Sequence, residues 1–188
     1  ADARRYFYQN ASTATTFGIE FEVRKGFEFL SPVLKNLYFF GNYTFTKSEV
    51  TFNDLSAGNK ELKAARPLQG QSPYLINAGF QWTSDQFNAS LLYNRVGERL
   101  ALVGNNEFPN VYERPRNQLD FQLSKKILDD KGELKLNMSD LINNPYYFYE
   151  NTDQVFSFKK GVDRMFSNYK PGTTVTITFT YDIGLGKK

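Results

Sequence analysis

The stretch TTVTITFTYDI, Thr173–Ile183, decides the fold. Thr174, Thr176, Thr178, Thr180 and Asp182 alternate strictly with Val175, Ile177, Phe179, Tyr181 and Ile183. A strand shows successive side chains to opposite faces. One face of this segment is therefore polar and the other greasy. The open question is what covers the greasy side: a folded core or hydrocarbon.

The same period recurs upstream. In Thr16–Lys25, Phe17, Ile19, Phe21 and Val23 share one face, and Gly18, Glu20, Glu22 and Arg24 share the other. Leu37–Val50, Tyr74–Thr83, Phe87–Arg95, Arg116–Ile127 and Glu133–Ser139 alternate likewise, and the last is expected to continue past the bend DLINNP into YYFYEN. Arg4–Asn10 reads as the end of an earlier strand. The pattern predicts seven full strands and one strand end. Ser84–Gln86 and Leu128–Gly132 are short turns, and Gly26–Asn36, with Pro32, is a moderate connection. They interleave with long loops at Thr51–Pro73, Val96–Pro115 and Thr152–Arg164. Charge is sorted too. The polar registers carry Glu20, Glu22, Arg24, Asp120, Lys135 and Asp182. The apolar residues that define the opposite faces include no charge; Lys125 falls on the apolar register of its strand, near the strand end, where its ammonium can reach an interface.

Composition removes several classes. Among 188 residues there is no Cys and no His, so a disulfide, a Cys/His zinc site and a His-based hydrolytic triad cannot form within the chain. The net charge of +3 is spread among acids, a solvated surface rather than a nucleic-acid patch. Asp129 and Asp130 lack the spacing of a calcium loop. Glu20 and Glu22, about 7 Å apart on one strand face, read as a hydrated wall with Arg24 as counter-charge rather than as a catalytic pair. No catalytic residue, metal or cofactor is expected. ADARRYFYQN at the start has no apolar signal region, and the chain reads as a segment of something longer. There is no apolar run long enough for a membrane helix, at a mean hydropathy of −0.52. That leaves a barrel open, because half of each barrel strand faces a polar lumen.

A soluble sandwich also alternates, but its strands average about 5–6 residues and its loops are not sorted by length. A membrane strand needs about 9–11 residues, and outer-membrane barrels put short turns on one side and long loops on the other. The expected fold is all-β: an antiparallel transmembrane β-barrel, partial, with short turns toward the periplasm. Tyr74, Trp82, Phe87 and Tyr181 are expected in interfacial girdles.

RPLQGQSPYLINAGFQW (Arg66–Trp82), ERPRNQLDFQLSKKI (Glu113–Ile127), KLNMSDLINNPYYFYEN (Lys135–Asn151) and YKPGTTVTITFTYDI (Tyr169–Ile183) resemble the last strands of TonB-dependent outer-membrane receptors, in the style of Bacteroidota members. QNASTATTFGIEFEVRKGF resembles the strand leading into that region. The resemblance implies a 22-stranded barrel in the bacterial outer membrane, with residues 1–188 as its C-terminal segment; the N-terminal plug, TonB box and earlier strands lie outside this chain. It implies import of siderophores, vitamins, glycans or peptides. Implied partners are outer-membrane lipid, the rest of the barrel and its plug, the TonB system, the barrel-assembly machinery and a surface lipoprotein. The last strand, through Val175, Ile177, Phe179, Tyr181 and Ile183, becomes the assembly signal, although GLGKK follows where many barrels end on an aromatic. Glu20, Glu22, Arg24, Asp120, Lys135 and Asp182 become lumen-facing, and Arg66, Phe108, Tyr112 and Phe156 become candidate extracellular ligand contacts. A self-contained small barrel with a structural or adhesive role, a client of the assembly machinery and a soluble β-rich binding module remain the competing readings.

Overall fold

A computed structural model describes residues 11–51, 66–105, 107–153, 155 and 157–183. In chain order its strands are β1 (Thr13–Gly26), β2 (Leu37–Thr51), β3 (Tyr74–Thr83), β4 (Phe87–Val96), β5 (Arg99–Leu102), β6 (Val111–Glu113), β7 (Arg116–Ile127), β8 (Gly132–Ser139), β9 (Tyr146–Glu150), β10 (Arg164–Tyr169) and β11 (Thr174–Tyr181). A seven-stranded antiparallel sheet runs β1-β2-β3-β4-β7-β8-β11, and a four-stranded sheet runs β10-β9-β6-β5. The large sheet is not closed. Among the described residues β1 and β11 are its two open edges, and each leaves a row of backbone groups without a strand partner there.

Register explains why the alternation matters. Lys25, Phe39, Phe80, Leu91, Phe121, Met138 and Val175 stand in one cross-strand row. The next row on the same face is Leu37, Trp82, Ala89, Leu123, Leu136 and Ile177. The opposite face carries Glu22, Asn42, Asn77, Asn94 and Gln118 in one row. There Asn94 Nδ2 donates to Asn77 Oδ1 at 2.7 Å. Each strand thus presents its greasy residues to the same side.

Five charges fall on the apolar register, and all lie toward a strand end. Lys25 and Lys125 sit at one end, where Lys125 Nζ lies 5.2 Å from the Phe87 ring centre. Lys47, Glu49 and Arg95 sit at the other. Along β4, only Ala89, Leu91 and Tyr93 separate Phe87 from Arg95 on this face. Eight residue steps make about 26 Å of strand, or about 20 Å of height at a barrel's tilt. Among the described residues no second layer covers that face; only the connection after β1 touches its edge, with the Phe27 ring 6.2 Å from that of Phe80. Phe21 and Ile177 are 63% and 71% exposed. The second sheet does not cover it, because its strands prolong those of the first.

That prolongation was not visible as strands in the sequence. β4 leads into β5 across Gly97–Glu98, β6 into β7 across Arg114–Pro115, β8 into β9 across residues 140–145, and β10 into β11 across residues 170–173. The lateral order of the upper strands repeats that of the lower four. One crease therefore crosses four strands at one level. Pro115, Pro145 and Pro171 have no amide to give a ladder. Asp140, Asn143 and Gly172 have φ of 57°, 50° and 89°, outside any strand conformation. At Gly97 a Cβ would lie 2.8 Å from the Tyr74 ring.

The expected loop at 96–115 holds two strands, and β10 begins at Arg164, where the expected loop from Thr152 ends. All three are only three to six residues long, too short to show a period. YYFYEN does continue the path of β8, but as β9 of the other sheet. The final strand ends at Tyr181, leaving Ile183 beyond it. The expected strand at Arg4–Asn10 and residues 52–65 of the first long loop lie outside the described residues.

Gly79 faces Phe40 across the β2–β3 pair. A Cβ there would stand 2.6 Å from both the Leu91 carbonyl oxygen and Phe40 Cζ. We expect Gly79→Val to destabilise the full-length protein by about 1–3 kcal/mol through overpacking, read as a lowered midpoint in chemical unfolding. Gly161→Val, at a position with open space around it but φ of +88°, tests backbone strain instead.

Candidate functional site

The chemistry-bearing side chains gather at the crease. Segment 66–73 stitches the two sheets together there. Val50 N–H donates to the Arg66 carbonyl at 2.9 Å, and Arg66 N–H returns the bond at 3.3 Å. Gly70 N–H then donates to Leu100 O at 2.8 Å, and Gln69 Nε2 to Ala101 O at 2.8 Å. Between β2, this segment and β5 lies a pocket of about 280 Å³. Arg66, Pro67, Glu98, Arg99, Leu100 and Tyr112 are among its walls. The lining sets the guanidinium groups of Arg66 and Arg99, the Lys47 ammonium and the carboxyl groups of Glu49 and Glu98 around apolar Leu100, Pro67 and Pro73, an arrangement suited to a small amphipathic ligand.

Two of these walls, Leu100 and Tyr112, join Tyr149 in a buried cluster. The two tyrosine rings stack at 6.0 Å, and Phe158 meets Tyr149 edge-on at 5.2 Å. Tyr149 Oη donates to Glu98 Oε1 at 2.6 Å. Burial pushes the Glu98 carboxyl above the usual carboxylate range, against the bonds from Tyr149 and the Ser157 amide and the charge of Arg114. Burial and the neighbouring carboxylate also raise the Tyr149 phenol. Burial raises Tyr112 and lowers the Arg66 guanidinium. Arg99 pairs with the buried Glu113 at 2.7 Å, and Arg164 with the buried Glu150 at 2.7 Å.

A second constellation locks the crease. Arg116 Nη2 meets Asp140 Oδ2 at 2.5 Å, with both side chains about nine-tenths buried. Arg116 also donates to Gln118 Oε1 at 2.9 Å and to the Asn144 carbonyl at 3.3 Å, and lies 4.2 Å from the Tyr146 ring centre. Asp140 N–H donates to Asp120 Oδ1 at 2.8 Å, and Thr173 Oγ1 donates to the Asp140 carbonyl at 2.9 Å. One ion pair thus ties β7 to the bends before β9 and β11.

The residues singled out by sequence fall in several places. Glu20, Glu22 and Arg24 lie exposed along β1 on the polar face, where Asn42 Nδ2 donates to Glu20. Asp120 shares that face and holds the Asp140 amide. Lys135 lies 3.9 Å from Glu133, and Asp182 follows β11 with its amide bonded to the Lys131 carbonyl at 2.8 Å. Val175, Ile177, Phe179 and Tyr181 are exposed on β11, as is Ile183 beyond it. Arg66 and Tyr112 come together in the pocket. Phe108 does not join them: it closes a turn in which its amide bonds Asn105 Oδ1 at 2.9 Å. Phe156 lies outside the described residues. Trp82, Phe87 and Tyr181 mark one end of the apolar face and Tyr74 the other. Sequence reasoning passed over Glu98, Leu100, Arg116 and Asp140. The spacing of Leu100 and Leu102 just after Gly97 was the available signal for the first two.

An open wall of long antiparallel strands, greasy on one face and polar on the other, is part of a β-barrel. Residues 1–141 match the family model described as TonB dependent receptor-like, beta-barrel, and the chain belongs to that family. Among solved structures it is similar to that titled the ferric citrate transporter FecA in the unliganded form, at 10% identity and a TM-score of 0.62. The likeness is one of fold, and it covers 88% of this chain and 23% of the transporter's. No curated protein matches the sequence.

Two outcomes are expected. Arg116→Ala strands Asp140 as a buried unpaired charge and costs about 3–5 kcal/mol, whereas Arg116→Met with Asp140→Leu costs far less; equilibrium unfolding of the full-length protein separates them. Glu98 holds its proton more tightly folded than unfolded, where its ordinary value is 4.5. Its contribution to stability is therefore full below that pH and lost as pH rises through the raised value. Hydrogen-exchange protection at Leu100 and Tyr149 is expected to fall on that rise, and Glu98→Gln to flatten the fall.

Proposed function

We propose that this chain is a C-terminal wall segment of a TonB-dependent receptor of the bacterial outer membrane. The carrying observation is the apolar face: continuous over seven strands, and charged only toward its two ends. A charge on the lipid face of a barrel costs about 2–4 kcal/mol at the midplane and little near the interfaces, and this face follows that rule. On this reading hydrocarbon covers Phe21, Leu91, Leu136 and Ile177, and the polar face with Glu20, Glu22, Arg24, Asp120, Lys135 and Asp182 lines the lumen.

The open edges support the larger assembly. Unpaired strand amides are intolerable in lipid, so β1 and β11 need neighbouring strands, which speaks against a self-contained small barrel. The rest of a barrel of about 22 strands, the plug and the TonB box then belong to other parts of the receptor. Val175, Ile177, Phe179, Tyr181 and Ile183, on and just beyond the fully exposed last strand, serve the barrel-assembly machinery as its recognition edge. The upper sheet stands outside the membrane, and the pocket with Arg66 and Tyr112 meets an imported small molecule: a siderophore, vitamin, glycan or peptide. Transport draws on the TonB system through the receptor's N-terminal part, and a surface lipoprotein is a further candidate partner above the upper sheet.

Neighbouring residues on β8 test the reading. Leu136→Arg is expected to destabilise the receptor in lipid vesicles by about 2–4 kcal/mol and Asn137→Arg by under about 1, measured by urea unfolding. Equal penalties would mean that the two faces do not meet different solvents. Uptake that persists without TonB would remove the transport assignment.

A further inference from the structure

A second pocket, of about 390 Å³, opens where the crease meets the upper end of the apolar face. Arg95, Arg114, Asn117, Asn144, Tyr147 and two crease prolines line it. Its lining holds two guanidinium groups and no carboxylate, a charge that suits an anion.

Arg95 is placed by the wall itself. It pairs with Ile76 and Asn117 on the apolar register. Its Nε donates to Tyr74 Oη at 3.2 Å and its Nη1 to Asn117 Oδ1 at 2.6 Å. Tyr93 Oη donates to the same Asn117 oxygen at 2.8 Å. Arg114 comes from the other side of the crease. Its guanidinium lies 5.2 Å and 4.6 Å from the ring centres of Tyr147 and Phe158. It has no salt bridge among the described residues. Glu98, whose buried carboxyl feels the charge of Arg114, does not line the pocket. A soluble anion needs nothing more than these cations. Here, however, two of the lining residues, Arg95 and Asn117, stand on the apolar register directly above grease: the rows immediately below them are Ala78, Tyr93 and Leu119, then Phe80, Leu91, Phe121 and Met138.

We propose that this pocket binds the phosphate headgroup of a membrane lipid whose acyl chains lie along Tyr93, Leu119, Leu91 and Phe121. The inference rests on the reading that the apolar face meets hydrocarbon. A guanidinium fork matches phosphate oxygens, and Arg95, already braced by Tyr74 and Asn117, loses little freedom on binding.

The test uses the full-length receptor in detergent micelles, titrated with phosphatidic acid or with diacylglycerol of the same chains and read by native mass spectrometry. Phosphatidic acid is expected to bind about tenfold tighter than diacylglycerol, and Arg95→Gln with Arg114→Gln to erase that preference. Arg114→Gln alone changes an exposed side chain and spares the bonds to Tyr74 and Asn117; it is expected to weaken binding about threefold, with retained heat-modifiability confirming the fold. Paired Arg→Lys variants restore part of the affinity. Wild-type affinity in both Gln variants would overturn the proposal. So would displacement of the lipid by millimolar inorganic phosphate, which would mark a site for soluble anions. A spin label at Leu91→Cys, in a background without other reactive cysteines, reads the underlying assumption separately. Oxygen-accessible label with no headgroup preference would refute the lipid site alone, and oxygen-shielded label would refute both.

Discussion

Cross-strand register is the constraint on which this wall depends. Strand side chains repeat every two residues, so a slip of one residue moves a strand's entire greasy set to the opposite face. Here six successive pairings all hold the same parity. Lys25, Phe39, Phe80, Leu91, Phe121, Met138 and Val175 can form one row only because none of the six slips. The polar face gives a positive reason for the same parity. Asn77 and Asn94 bond each other there, and Gln118 reaches Asp120 two residues along its own strand at 3.1 Å.

Above the wall the logic changes from repetition to stitching. Three short strands and β9 could not stand as an isolated sheet, and their own core is little more than Leu100, Tyr112 and Tyr149. They are held by what crosses the crease: Arg116 with Asp140, the return of segment 66–73 onto Leu100 and Ala101, and the bond from Tyr149 to Glu98. The buried polar groups are thus concentrated where the regular ladder is interrupted. That is the expected location, because a bend frees backbone groups that need other partners.

The wall was legible in the sequence because its strands are long enough for a period of two to repeat. β1, β2, β3, β4, β7, β8 and β11 all follow alternations visible in the primary structure. The crease was not legible. Pro115, Pro145 and Pro171 announced interruptions, yet three interruptions at different chain positions do not reveal that they share one height. β6 has three residues, too few to show a pattern. Arg66 and Tyr112 could be picked out as candidates, but their meeting in one pocket depends on segment 66–73 crossing to β5. Glu98 looked like an ordinary loop carboxylate, since nothing local signals that Tyr149, 51 positions away, will close over it.

The shared height of the four bends separates two kinds of sequence freedom. Below it, an insertion would shift parity and turn a strand inside out. Beyond it, at the tips around residues 103–110 and 152–163, added length leaves the ladders beneath undisturbed so long as the anchoring at Arg116 and Leu100 is kept. The outer surface can therefore diversify as an interchangeable module on an invariant chassis, and a scaffold engineered from this protein should accept grafted segments at those tips.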